Sequence, residues 1–380
     1  MYIVIAPDSF KHSLPALAVA ENIAIGIKKI FPEAETILVP LADGGEGTVK
    51  SLIDATNGRI ENLEAHDPLL RKVNSFLGIL GDDKTAVIEM AVASGIELLH
   101  DNELNPMTAS TYGTGEHIKK ALDLGCNKII VGIGGSATND GGIGMARALG
   151  LKFLDENNNE IGEGGDSLNR LALIDDSGID QRLKNCEILI AADVNNPLTG
   201  PTGASRVFAP QKGADKNQVE ILEKNISHYA TILRKTYNKD FENLEGAGAA
   251  GGLGAGLMAF ANAKIMSGFK IIAEITELES KISRADLVIT GEGKIDNQTQ
   301  FGKTPFGVAM LAKKYNKPVI AFAGSLGEKH ENLYQKGFDV IFPITDQPMP
   351  LDYSLKNAGR LLQEASERMA RMLLLSGKMK

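Results

Sequence analysis

Ala285-Asp286-Leu287-Val288-Ile289-Thr290, followed by Gly291-Glu292-Gly293-Lys294-Ile295-Asp296-Asn297-Gln298-Thr299-Gln300-Phe301-Gly302-Lys303-Thr304-Pro305, decides the fold class. The apolar first half reads as a buried strand ending near Thr290. Phe306 to Tyr315 reads as a helix, so Gly291–Pro305 becomes the loop between strand and helix. A polar, glycine-containing loop at that junction is how an α/β protein holds an anionic ligand. Gly302-Lys303-Thr304 looks like the close of a Walker A loop, but Asn297 stands where that motif needs its first glycine.

A companion lies upstream. Gly132-Ile133-Gly134-Gly135-Ser136-Ala137-Thr138-Asn139-Asp140-Gly141-Gly142 follows the strand-like Lys128–Val131 and opens a helix from Ile143 to Leu149. Converging backbone N–H groups and a helix dipole suit phosphate oxygens, with Asp140 a Mg²⁺ ligand or proton acceptor. The structural alternative is a plain strand-to-helix turn capped by Asn139 or Asp140.

Outward from these loops, the rhythm is strand, loop, helix. Residues 2–6 form a strand, Pro15–Ile30 a helix, Thr36–Leu41 a second strand, and a further helix runs to Ala55. That order predicts a parallel sheet, with Asp8-Ser9-Phe10-Lys11 and Asp43-Gly44-Gly45-Glu46-Gly47-Thr48 at carboxyl ends of strands. Between about 60 and 92 the texture becomes an antiparallel meander, including Val73–Leu80 and Thr85–Met90. Parallel units return at Lys128–Gly150 and Glu187–Asp193. Near the end come strands at 286–290, Pro318–Ala323 and Asp339–Pro343 and a closing helix over 354–375. The expectation is a discontinuous doubly wound domain, 1–62 plus 270–380, carrying an inserted mixed α/β domain at 63–269.

Composition excludes other classes. The 380 residues carry a net charge of −8 and no tryptophan. Without a basic run, nucleic-acid binding is not expected. No stretch approaches a membrane span and the N-terminus lacks signal-peptide features, so a cytoplasmic location is expected. Cys126 and Cys186 read as reduced core thiols. The six histidines are scattered, with no zinc spacing. Gly246-Ala247-Gly248-Ala249-Ala250-Gly251 satisfies G-x-G-x-x-G, but the residues before it make a poor strand and no ribose-binding acid follows. Tight helix packing or another ligand turn is the better reading.

The chain resembles the bacterial glycerate kinase family. The matching blocks are Ala6–Lys11, Ala42–Thr48, Thr111-Tyr112-Gly113-Thr114-Gly115-Glu116, Gly132–Gly142, Ala192–Leu198, Pro210–Ala214, Gly246–Gly256 and Gly291–Pro305. Departures are His12, Arg206 and Lys294, where the family more often has glycine, a small residue and arginine. The resemblance implies a Rossmann-like domain with an inserted domain and the site in the cleft. It also implies ATP- and Mg²⁺-dependent phosphorylation of D-glycerate, 2-phosphoglycerate being favoured over 3-phosphoglycerate, in glycerate or glyoxylate catabolism. The oligomeric state is open, with a homodimer compatible.

Phosphoryl transfer asks mainly for positioning and charge stabilisation. Asp8, Asp43, Asp140, Asp193 and Asp296 each follow an apolar strand. Asp193 is the first choice for base, then Asp43 and Asp296, with Asp140 and Asp193 for Mg²⁺. Two of the five are expected to be helix caps or turn formers. The catalytic set is completed by Lys11. Gly134, Gly135, Ser136, Thr138, Gly291, Gly293, Lys294 and Lys303 are assigned to the nucleotide. Asp8, Ser9, Gly44, Gly45 and Lys212 are assigned to the acid substrate. Two other readings compete. A nicotinamide-dependent hydroxy-acid oxidoreductase predicts NAD binding without an ATP response, and a metabolite sensor predicts affinity without turnover.

Overall fold

The computed structural model describes residues 1–42 and 47–378. In chain order its strands are β1 (Tyr2–Ile5), β2 (Glu35–Leu38), β3 (Arg59–His66), β4 (Lys72–Ile79), β5 (Thr85–Glu89) and β6 (Lys128–Gly132). They continue as β7 (Lys152–Leu154), β8 (Leu173–Asp175), β9 (Glu187–Ala191), β10 (Lys264–Met266), β11 (Leu287–Ile295), β12 (Val319–Leu326) and β13 (Val340–Pro343). The chain divides into two compact units: Met1–Asp43, Lys50–Thr56 and Phe269–Lys380 form one; Gly44–Val49 and Asn57–Gly268 form the other.

The first unit holds a five-stranded sheet in the order β13-β12-β11-β1-β2, with every pairing parallel. The chain winds outward one way through β2 and the other way through β12 and β13. The direction therefore reverses between β1 and β11, the crevice where doubly wound sheets bind ligands. Ile3, Val4, Ile5, Val288 and Ile289 are fully or almost fully buried. Such unbroken β-branched runs are what a strand covered on both faces requires. The helix Ala16–Lys28 buries Val19, Ile23 and Ile27 in one core with Leu361, Leu362 and Met369 of the Leu351–Lys378 helix.

The second unit holds a six-stranded sheet, β10-β9-β6-β5-β4-β3. The meander expected from sequence accounts for β3, β4 and β5, which pair antiparallel. β5 then turns the sheet parallel, pairing with β6, and β6 with β9 and β9 with β10 follow suit. A separate antiparallel pair, β7–β8, had no clear sequence signal. Among the described residues no helix is long and apolar enough to cross a membrane.

The decisive stretch departs from its expected form. β11 does not end at Thr290 but runs to Ile295. Glu292 pairs with Ala323 and Lys294 with Ser325 of β12. Gly291 and Gly293 are thus strand residues, and the connecting loop shortens to Asp296–Lys303. The reason is non-local: β12 supplies ladder partners for Gly291, Glu292, Lys294 and Ile295, which outweighs the weak strand preference of Gly and Glu.

Candidate active site

In the first unit, the ends of β1 and β11 meet directly. The Asp8 N–H donates to the Gly291 carbonyl at 2.8 Å. A Cβ on Gly293 would lie 3.4 Å from the Lys11 nitrogen. Asp8, Ser9, Lys11, Gly291, Gly293, Lys294, Asp296 and Lys303 therefore share one end of this sheet, at its switch point. Lys11 is exposed, and so is Lys294, whose ammonium lies 3.4 Å from the Asp296 carboxylate.

Asp296 also caps the short turn Asn297–Gln300, accepting from the Gln298 N–H at 2.8 Å, while its own N–H donates to the Thr299 hydroxyl at 3.2 Å. This aspartate is one of the helix-cap residues the sequence allowed for. Sequence reading missed Glu292. It is 8 % exposed; one carboxylate oxygen accepts from the Thr299 hydroxyl at 2.7 Å and the other from Lys303 Nζ at 3.0 Å. Burial pushes its carboxyl above the usual carboxylate range, and Lys303 and Thr299 pull the other way. The only sequence signal was an acidic residue between two glycines beside a lysine-bearing loop.

In the second unit, the glycine loop after β6 lies beside the end of β9, with the Ile133 N–H 3.5 Å from the Ala191 carbonyl. Gly134 and Gly135 are exposed, whereas Ser136, Thr138, Asn139 and Asp140 are buried. Only the first two glycines present the loop to solvent. Asp193, immediately beyond β9, is exposed.

Two expectations need correction here. Asp140 is completely buried. Its Oδ2 accepts from the Thr111 N–H (2.9 Å), the Thr111 hydroxyl (2.8 Å) and the Gly144 N–H (3.2 Å), and its Oδ1 from the Gly142 N–H (3.0 Å). Three donors converge on Oδ2 and one on Oδ1 in a site closed to solvent, so the carboxylate is taken up in holding the loop and is not presented to a Mg²⁺ ion. Burial pushes its carboxyl up, and the four donors hold it down. Lys212, assigned to the substrate, is 1 % exposed and donates from Nζ to the Thr138 carbonyl at 2.6 Å. Burial lowers its pKa to about 7, with the nearby Asp140 opposing. It is an internal strut of the loop, not a group facing a ligand.

The glycine-rich segment that formally matched a dinucleotide motif backs this loop. Gly251 has φ +68°, and a Cβ there would sit 2.0 Å from the Thr138 carbonyl. Gly246 (φ +75°) packs on Val194 O and Ile265. The Tyr229 hydroxyl donates to the Gly141 carbonyl at 2.8 Å, and the Asn139 amide to Ser205 Oγ at 3.1 Å. No strand leads into Gly246. Tight backbone packing accounts for these glycines, and the nicotinamide reading loses its one sequence feature. Asp43, Gly44 and Gly45 lie outside the described residues.

The model of the glycerate kinase family matches residues 3–374. The chain belongs to the glycerate kinase family. A glycerate kinase of Bacillus subtilis (strain 168) is 50 % identical over 376 residues, covering 99 % of this chain and 98 % of its own. A glycerate 2-kinase of Escherichia coli (strain K12) is 50 % identical over 375 residues, with the same coverage. A crystal structure from Salmonella typhimurium LT2, assigned as a glycerate kinase 2, superposes with a TM-score of 0.92 at 47 % identity, covering 100 % of this chain and 99 % of that one. As a glycerate kinase family member the chain is an enzyme of the phosphotransferase class. Such an enzyme uses ATP as co-substrate and a small molecule as acceptor.

Proposed function

We propose that this enzyme transfers the γ-phosphoryl group of ATP to O2 of D-glycerate, giving 2-phosphoglycerate and ADP. The observation that carries the reading is the conjunction at the β1–β11 switch point: an exposed Lys11 and a half-exposed Lys303, on adjoining loops at the start of a helix. That is where an α/β sheet receives phosphates. The choice of O2 follows the glycerate 2-kinase relative at 50 % identity.

In the reaction, the glycerate hydroxyl oxygen attacks the γ-phosphorus and the bond from phosphorus to the β,γ-bridging oxygen breaks. The hydroxyl proton passes to a base, and ADP departs with the electron pair. Asp193 is that base, since it is exposed at the end of β9. Lys11 and Lys303 offset charge on the phosphates. Gly134 and Gly135, exposed in the loop after β6, are assigned to the nucleotide. Mg²⁺ neutralises phosphate charge when bound. Among the described residues no three acidic, histidine or cysteine side chains cluster as a ready metal cage. The setting is the breakdown of glycerate in the bacterial cytoplasm.

A coupled assay with D-glycerate, ATP and Mg²⁺, followed by phosphorus NMR of the product, tests this. A 2-phosphoglycerate signal is expected. The 3-isomer would overturn the position, and no ADP release with glycerate would overturn the activity.

A further inference from the structure

Glu292 and the start of the Thr304–Lys314 helix form a unit whose purpose the assignments above leave open. The helix runs for 11 residues, begins after Lys303, and has neither a side-chain cap nor an acidic residue in its first turn. A lysine at the positive end of a helix dipole is electrostatically misplaced unless an anion joins it. Thr304, the first residue of that helix, is completely buried, and its hydroxyl has no hydrogen-bond partner. An orphaned buried hydroxyl beside an ammonium marks a place left for an acceptor.

What keeps Lys303 there is Glu292. Its carboxylate, rooted in β11, holds Lys303 Nζ at 3.0 Å and the Thr299 hydroxyl at 2.7 Å, so it ties both limbs of the Asp296–Lys303 loop to the sheet. Lys303 has a side chain 36 % exposed against 11 % for Glu292. The ammonium thus spends one donor inward and keeps the others toward solvent.

Resting on the functional reading above, we propose that Glu292 is a positioning residue for the nucleotide. It fixes Lys303 over the helix start, so that a phosphate of ATP is met by the Lys303 ammonium and the Thr304 hydroxyl together. Glu292 touches neither substrate; it acts through Lys303.

The test uses the full-length enzyme and the variants Glu292→Gln, Lys303→Met and the double variant. Initial rates with each substrate varied in turn accompany direct calorimetric titration of ATP with Mg²⁺, which needs no turnover. Glu292→Gln keeps the size and the Thr299 contact but loses the charge. It is expected to raise the KM and Kd for ATP about tenfold, while the KM for D-glycerate moves less than twofold. Lys303→Met is expected to weaken ATP by about 10- to 100-fold, the range for a charge-assisted hydrogen bond. If Glu292 acts through Lys303, adding Glu292→Gln to Lys303→Met changes ATP affinity no further.

Additive losses, or equal shifts in both KM values, would reduce Glu292 to general scaffolding and overturn the proposal. Because Lys303 is half exposed, Lys303→Met is expected to fold even where Glu292→Gln does not, and unaltered ATP affinity in Lys303→Met also overturns it. Failure of the wild type to phosphorylate glycerate would instead refute the functional reading, a separate outcome since ATP binding is measured directly.

Discussion

Replacing Lys212 with methionine should change how stability responds to pH, with a size fixed by burial. The ammonium is 1 % exposed and its pKa falls from 10.5 to about 7, because leaving water disfavours the charged form. A shift of that size corresponds to ~5 kcal/mol of penalty on the charged state. The unfolded chain holds this proton up to about pH 10.5, while the folded chain releases it from about pH 7. Between those values unfolding takes up a proton, so the lysine's contribution grows more favourable as pH rises, by ~1.4 kcal/mol per pH unit.

Methionine has similar length and no titration, and leaves the Thr138 carbonyl without its donor at a constant cost of ~1–3 kcal/mol. Urea unfolding of both proteins at pH 7 and pH 9 is the assay, followed by far-UV circular dichroism because the chain has no tryptophan. The wild-type stability minus the variant stability is expected to rise by ~2–3 kcal/mol across that interval. A difference that stays flat would mean the ammonium keeps its ordinary pKa, and that burial does not govern it.

Asp193→Asn is expected to lower kcat by roughly 10²–10⁴-fold with little change in ATP affinity; steady-state kinetics near the wild-type rate would remove Asp193 as the base. Gly251→Ala should cost ~1–3 kcal/mol or more in a thermal melt, since φ +68° and a Cβ 2.0 Å from the Thr138 carbonyl both oppose it. His117 is wholly buried between Ser75 Oγ at 2.8 Å and the Gly113 carbonyl at 2.8 Å, and burial lowers its pKa below 6.5. Its stabilisation is therefore present above about pH 6.5 and fades as pH falls toward the lowered value; a His117→Asn protein should lose part of the wild type's sensitivity between pH 7 and pH 5 in the same melt.

How much of this was legible depends on distance along the chain. The apolar runs Tyr2–Ile5, Lys128–Val131 and Val319–Ala323 announced their strands because burial on both faces selects β-branched residues locally. The extension of β11 was not legible, since Gly291-Glu292-Gly293 reads as a loop until β12 pairs with it. Lys212 looked like any loop lysine; its burial depends on Thr138, 74 residues away. Asp140 looked like a ligand because its four donors come from Thr111 and from the helix it starts. Glu292 was passed over because nothing local shows that a charged residue between glycines is rooted in a sheet.

The order of the first unit's sheet has a consequence for biogenesis. β1 is an inner strand whose neighbours are β2, about 30 residues on, and β11, where Ile5 lies beside Ile289. When β1 and β2 emerge from the ribosome, one flank of β1 has no partner until some 250 residues more have been made. At typical rates of ~5–20 residues per second that is a wait of roughly 10–50 s. Residues 57–268 are contiguous and can complete their own sheet in the meantime. The nascent β1–β2 segment, with its bare apolar edge, is then the point at which chaperones would act and at which a slowed ribosome would do harm.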